Sequence, residues 1–438
     1  MLRVPTVHAK PGMTLALPVL HPKRLDTVLL NAGVRLEQVH IRRLREIELA
    51  DLWIRYPKLE QIGQFVSEDV QRAWGEVTGL IDDAFEALGR DTDARLDYLA
   101  YKRAIQGLIE QLTARPKSQL FMREMVESQR ALLRHASNVA FVSVLMGLRL
   151  EFYVQFERPK LAPAAARDVS SLGVGAMLHD VGVLRLPRPI RMGEDGRPDE
   201  TDPQWRRHPR LGYELIRGNV EPSAAAVVLC HHQRFDGTGF PTRIDPMGNE
   251  LPVKGRNIHI FARIAAAADL FDRLRHPDGG GASLDPAAAP DPKSRGRALP
   301  VVEVLRRMQE PPYAAWLDPV VLTGLIAVCP PYPPGCRVRL SDGTSGVVTQ
   351  WNQEDPCRPT VALVGDAFED ATDEEACSRP LSANEVVDLT MCPGLEVVEA
   401  DGQDVRRSNF YPSGSRRYGL TRIERAIAQR ARTESRAA

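Results

Sequence analysis

Apolar side chains recur every three or four positions through much of the chain, the spacing of helices that bury one stripe. Phe65, Val66, Val70, Trp74, Val77, Leu80, Ile81 and Phe85 make the first such run and predict helix over 60–115, as a spacer or a dimerisation element. Phe121–Leu150 is amphipathic, Ala164–Leu178 is apolar and small, and Leu211–Ile216 and Ala224–Leu229 are short helical faces. Ile258–Leu274 is strongly apolar, and helix resumes at Val301–Met308 and Pro319–Val328.

Both ends depart from this period. Gly12–Leu20 and Val28–Leu36 read as strands, and Gln38–Ile47 has helical spacing through Ile41, Leu44 and Ile47. After Pro330-Pro331-Tyr332-Pro333-Pro334-Gly335, Val338, Leu340, Val347, Val348, Val361 and Leu363 alternate with polar residues around Asp342-Gly343, a small antiparallel β unit. The fold class is therefore mainly α: an all-helical bundle with a small mixed N-terminal module and a small β-rich C-terminal domain. The expected boundaries are 1–58 for the module, 59–115 for a helical linker, 116–328 for the bundle with a flexible insertion at 277–299, 329–400 for the β domain, and 401–438 for a basic, flexible tail.

Composition narrows the function. The 438 residues carry 57 Lys+Arg and 57 Asp+Glu, for zero net charge, with 43% hydrophobic residues. That balance excludes a globally basic nucleic-acid coat and an acidic disordered chain, so nucleic acid is not an expected partner. The zero is an average: from residue 405 on, nine arginines face two glutamates, +7, which leaves −7 for 1–404. No apolar run reaches the roughly 18 residues of a bilayer span, and no apolar leader follows the first residue. The six cysteines form no Cys-x-x-Cys pair and read as free thiols, so the expected compartment is the cytoplasm.

The histidines carry the chemistry. His135, His179-Asp180, His208, His231-His232 and Asp269 fall in order on five separate helical segments. Imidazole and carboxylate suit Fe, Mn, Zn or Co, and seven such groups exceed what one ion needs, which favours two metals sharing a carboxylate. His8, His21, His40, His259 and His276 read as ordinary surface or core residues.

His179-Asp180-Val181-Gly182 resembles the metal-binding core of the HD phosphohydrolase superfamily. His231-His232-Gln233-Arg234-Phe235-Asp236-Gly237-Thr238-Gly239-Phe240-Pro241 resembles the long signature of its HD-GYP subfamily. His208-Pro209 with Gly212-Tyr213, and Asp269-Leu270-Phe271-Asp272, fall where that family places its next ligands. The resemblance covers about 116–325 and implies a cyclic di-GMP phosphodiesterase that yields pGpG or GMP by attack of a metal-bridging hydroxide. It implies two divalent transition-metal ions, iron first and manganese second. His135, His179, Asp180 and Asp269 would hold one ion; Asp180 would bridge to the other, completed by His208, His231 and His232. His179 and Asp180 would be catalytic, and Arg234, Asp236, Gly237, Gly239, Phe240, Pro241 and Arg297 would bind substrate. Diguanylate cyclase domains are the implied protein partners, and a homodimer through 59–115 is a further expectation.

Four residues depart from the family pattern. Val183 stands where the family has a lysine, removing a cation near the phosphate. Phe240 replaces a tyrosine and Gln233 a glutamate. Ala131 stands where members with three metals carry a glutamate, hence the expectation of two. Arg297 is the remnant of the family's phosphate-contacting arginine segment. A weakened module that binds nucleotide or protein is the alternative reading.

Overall fold

A computed structural model describes the chain except residues 22–23, 48, 50, 92–93, 116–130, 188–189, 194–197, 277–297, 365–380, 383–384, 414–417 and 438. The N-terminal module contains β1 (Leu2–Pro5), a hairpin of β2 (Val19–His21) and β3 (Arg24–Leu30), α1 (Gln38–Glu46), and β4 (Asp51–Ile54), which pairs antiparallel with β1. Leu2 and Val4 face Ile54 and Leu52 across that pair, and all four are buried. The period-two alternation of the strands supplies this apolar face directly.

Two long helices follow, α2 (Glu68–Arg90) and α3 (Tyr98–Ala114), started by Ser67 accepting from Val70 N and Asp97 accepting from Ala100 N. The stripe Val70, Trp74, Val77, Ile81 and Leu88 on α2 is buried, and Trp74 meets Phe141 edge-on at 4.7 Å between ring centroids. The apolar face expected to serve a spacer or a dimer contact is thus covered within the chain, in one core with the bundle.

The bundle consists of α4 (Ala131–Arg149), α5 (Glu151–Glu157), α6 (Pro163–Arg167), α7 (Ser170–Met177), α8 (His208–Ile216), α9 (Pro222–Cys230), a hairpin of β5 (Arg243–Ile244) and β6 (Glu250–Leu251), α10 (Ile260–Arg275), α11 (Val301–Met308), α12 (Tyr313–Trp316) and α13 (Pro319–Val328). Every residue of α7 is buried, which explains why its sequence is small and apolar on all sides rather than amphipathic. It packs on α4, α9 and α3. Gly182, just beyond α7, sits against the start of α8; a Cβ there would lie 2.0 Å from His208 O and 2.4 Å from Gly212 N.

The chain then forms an antiparallel sheet from β7 (Arg337–Leu340), β8 (Ser345–Gln350), β9 (Thr360–Ala362), β10 (Val386–Asp388), β11 (Val397–Ala400) and β12 (Gln403–Asp404), in the order β10-β9-β8-β7-β11-β12. The β7–β8 hairpin turns at Asp342-Gly343, where Asp342 Oδ1 accepts from Thr344 N at 2.9 Å. The fold is mainly α with a β-rich C-terminal sheet. Val347, Ala362 and Val364 of that sheet region share a core with the N-terminal module, and Arg3 bridges to Asp401 at 2.7 Å.

The C-terminal tail differs from the flexible segment that its arginines suggested. Leu420–Ala437 is a helix, α14. Tyr418 and Leu420 are buried, Ile423 and Ile427 pack on the main core, and Tyr418 donates to Gln309 Oε1 at 2.9 Å. The apolar positions 420, 423 and 427 share one helical face, and that face is the one turned to the core. No single described helix is long and apolar enough to cross a membrane; one pair bent by 83°, Leu132–Arg149 with Glu151–Glu157, passes by length and composition, and most of its apolar residues lie in the core.

Because both clashing atoms are backbone, Gly182→Ala is expected to destabilise the protein by about 3 kcal/mol or more. Thermal unfolding of the variant beside the wild type measures this.

Candidate metal centre

The seven candidate ligands come from five segments: His135 from α4, His179 and Asp180 from the turn after α7, His208 from the first residue of α8, His231 and His232 from the end of α9, and Asp269 from α10. All seven are buried. They lie in two groups, each with ligand atoms within 4.8 Å of one another: His135, His179 and Asp269 in one, and Asp180, His208, His231 and His232 in the other. Asp180 faces both. Its Oδ2 is 3.5 Å from His179 Nε2 and 3.7 Å from His135 Nε2, while Oδ1 is 3.4 Å from His208 Nε2 and 3.5 Å from His231 Nε2.

One local device aims the imidazoles. His179 Nδ1 donates to Ala176 O at 2.8 Å, His208 Nδ1 to Trp205 O at 2.7 Å, and His231 Nδ1 to Val228 O at 2.8 Å. Each acceptor lies three residues back, so each ring is pinned by its own turn and presents Nε2 inward. The Nε2 atoms crowd: His135 to His179 at 3.2 Å, His208 to His231 at 3.2 Å, and His232 to His208 at 3.1 Å. Burial lowers the His179 pKa to about 4 and lowers that of His208; burial and neighbouring His231 take His232 well below its usual value. His208 and His231, each giving Nδ1–H to a backbone carbonyl, turn their Nε2 lone pairs toward one another at 3.2 Å. That arrangement is repulsive until a cation sits among them, so the donor set fits divalent transition metals.

The carboxylates agree. Burial alone would raise the Asp180 carboxyl, but His179, His208 and His231 outweigh it and hold it well below the usual range. Asp269 is treated alike: burial opposes ionisation, yet Arg273 and His135 bring it to about 2. His135 goes the other way. Burial would lower it, but Asp269 at 3.1 Å and Asp272 at 2.7 Å raise it to about 10. A proton on Nε2 between His135 and Asp269 holds the place that a metal ion would take from it, since metal ligation requires the neutral ring.

The candidate substrate residues divide. Phe240 stacks on His232, with centroids 4.6 Å apart and planes 17° off parallel, and Arg206 covers the same ring at 5.1 Å. Arg234 lies over the Trp316 ring and pairs with Glu200 at 2.6 Å. Asp236 closes its own turn, accepting from Thr238 N at 2.9 Å, and Gly237 takes φ +89°, a backbone conformation that favours glycine. Gly239 packs against the His232 carbonyl, and Pro241 O accepts from Gln233 Nε2. Arg297 lies outside the described residues. Val183 is 1% exposed in an apolar group with Leu186, Ile190, Trp205 and Phe240.

Two charged residues of this neighbourhood, Arg273 and Glu200, had not been singled out from the sequence, and Asp272 was named only as the end of the Asp269 motif. Asp272 holds His135 Nδ1 at 2.7 Å and accepts from Asn138 at 2.8 Å. Arg273 pairs with Asp269 at 2.6 Å and with Glu200 at 2.7 Å. Asp272 and Arg273 follow Asp269 by three and four positions, one helical turn, and that spacing was a readable signal. Glu200 lies on the loop before α8, where no periodicity points to it.

Residues 160–290 match the HD domain family model. This part of the helical bundle is therefore similar to HD domains. The chain is 29% identical over 200 residues to a cyclic di-GMP phosphodiesterase of Pseudomonas aeruginosa, covering 44% of this chain and 41% of that protein. It is 33% identical over 110 residues to a cyclic di-GMP phosphodiesterase response regulator of Xanthomonas campestris, 24% of this chain and 27% of the relative. A 3'3'-cGAMP-specific phosphodiesterase of Vibrio cholerae matches at 32% over 103 residues, 22% of this chain and 17% of the relative. The chain therefore spans less than half the length of these curated relatives. Among solved structures, an HDG"Y"P protein from Bdellovibrio bacteriovorus matches with TM-score 0.40 and 14% identity, over 75% of this chain and 98% of that one.

Two outcomes follow from the geometry. Asp272→Ala frees the His135 ring and is expected to weaken metal binding about 10- to 100-fold, read by competition with a chromophoric chelator. Val183→Lys places an ammonium among Trp205 and Phe240 and is expected to cost about 2 kcal/mol or more, visible as a lowered melting temperature.

Proposed function

We propose that the protein is a metal-dependent phosphodiesterase that hydrolyses cyclic di-GMP to pGpG or GMP at a binuclear centre. The observation that carries the reading is the placement of Asp180 between two groups of imidazoles, one carboxylate oxygen toward each. A bridging carboxylate with three further ligands on either side is the donor set of a two-metal site. His135, His179 and Asp269 would complete one ion and His208, His231 and His232 the other. When bound, the ions supply acidified water and Lewis acidity at the phosphorus.

The chain's own residues perform the remaining tasks. Ala176, Trp205 and Val228 carbonyls fix three rings, so the ligands need no reorganisation when substrate arrives. Phe240 and Trp205 are buried beside His208 and His232 and form an apolar wall that keeps water from those rings. Asp272 keeps the His135 ring oriented. Iron is the first choice of metal and manganese the second, since imidazole and carboxylate without thiolate serve both. The names of the relatives extend the substrate class to 3'3'-cGAMP.

A second reading, a module that binds nucleotide or a diguanylate cyclase domain with little turnover, draws on Val183. Its apolar surroundings leave no cation where the family carries a lysine.

Turnover of cyclic di-GMP and of 3'3'-cGAMP by protein loaded with Fe(II) or Mn(II) decides between the two readings. The expected result is linear product from the wild type and a loss of about 10³-fold or more in Asp180→Ala. A wild type that holds two metals yet yields no product above Asp180→Ala overturns the enzyme reading.

A further inference from the structure

A chain of charged side chains runs outward from the metal cluster. Arg273 gives Nη2 to Asp269 Oδ2 at 2.6 Å and Nη1 to Glu200 Oε1 at 2.7 Å. The second Glu200 oxygen receives Arg234 Nη2 at 2.6 Å, and the Arg234 guanidinium lies over the Trp316 ring, 3.4 Å from its centroid. One carboxylate is thus held by two guanidiniums, one on each oxygen. The three side chains keep 22%, 29% and 26% of their surface for Arg234, Glu200 and Arg273, so the clamp is open to a ligand from solution.

Two guanidiniums spaced to take the two oxygens of a carboxylate are also spaced to take the two non-bridging oxygens of a phosphodiester. The pair stands beside Asp269, and the Arg273 charge is felt at both Asp180 and His232. When a bound cation satisfies Asp269, Arg234 and Arg273 carry one more positive charge than Glu200 cancels. The surrounding body, at −7 over 1–404, supplies no general attraction for an anion, which makes a local pair of this kind necessary. The chain placing Glu200 there is a loop, not a helix, so the carboxylate can leave without unpacking a core element.

We propose that Arg234 and Arg273 form a phosphodiester seat, that Glu200 fills it as an internal anion until substrate displaces it, and that the pair supplies the positive charge Val183 does not. The substrate class rests on the phosphodiesterase reading above; the seat itself requires only an anion with two adjacent oxygens.

The test uses manganese-loaded protein, titrated with inorganic phosphate by calorimetry, with KM for cyclic di-GMP measured in parallel. Glu200→Gln is expected to bind phosphate about tenfold more tightly and to lower KM by a similar factor. Arg273→Gln and Arg234→Gln are each expected to weaken phosphate binding about tenfold, with Arg273→Lys recovering part of the loss. Metal content by elemental analysis and circular dichroism accompany each variant. Since Glu200 and Arg234 touch none of the candidate ligands, they carry the test if Arg273→Gln fails to fold. Tighter phosphate binding in Glu200→Gln without any cyclic di-GMP turnover upholds the seat and overturns the substrate reading. Unchanged or weaker phosphate binding in a folded, metal-loaded Glu200→Gln overturns the seat, whatever the turnover.

Discussion

Everything at the site depends on one hydrogen bond made three times. His179, His208 and His231 each give Nδ1–H to the carbonyl three residues earlier, at 2.7–2.8 Å. The bond fixes the tautomer, and the tautomer decides that Nε2 is a lone pair rather than a donor. Three rings pinned in this way from three helices cannot relieve their mutual repulsion by rotating. The interior is therefore built around a positive charge, and the apolar packing of α7, α9 and α10 holds the rings together against that repulsion.

The packing explains the surrounding residues. α7 is apolar on all faces because it is surrounded by α3, α4 and α9, and its end delivers His179 and Asp180 to the centre. Gly182 permits the start of α8 to approach within backbone contact, which brings His208 to Asp180. Asp272 and Arg273, one turn beyond Asp269, stabilise a ligand on each side: Asp272 orients His135, and Arg273 keeps Asp269 ionised. Buried charge of this density is tolerable because each carboxylate has a partner.

The candidate ligands were legible because clustered His and Asp stand out in an apolar helical region, five of them at or just beyond helix ends and His135 and Asp269 within α4 and α10. The Asp342-Gly343 hairpin was equally plain, since a turn of that kind is a local property. Glu200 was not, because its importance arises from two arginines 34 and 73 positions away on different elements. The arginine-rich tail misled for a related reason: composition suggested solvation, while three apolar residues on one helical face docked it through Ile423 and Ile427. Tertiary contacts decide both cases: Glu200 leaves no periodic trace, and the 420, 423, 427 spacing marks a helix but not what it docks on.

The bridge between Arg3 and Asp401 has a consequence beyond its own strength. It ties the second residue after the start to the far edge of the C-terminal sheet, while Val347, Ala362 and Val364 share a core with the N-terminal strands. Trp74 on α2 meanwhile plugs Phe141 of the bundle. The polypeptide is closed on itself like a buckled strap, and the bundle that carries the candidate ligands is no detachable cassette. Cutting it free at either side would lay open an apolar face that the rest of the chain now seals, so whatever acts on the terminal module acts on the same continuous solid that carries the histidines.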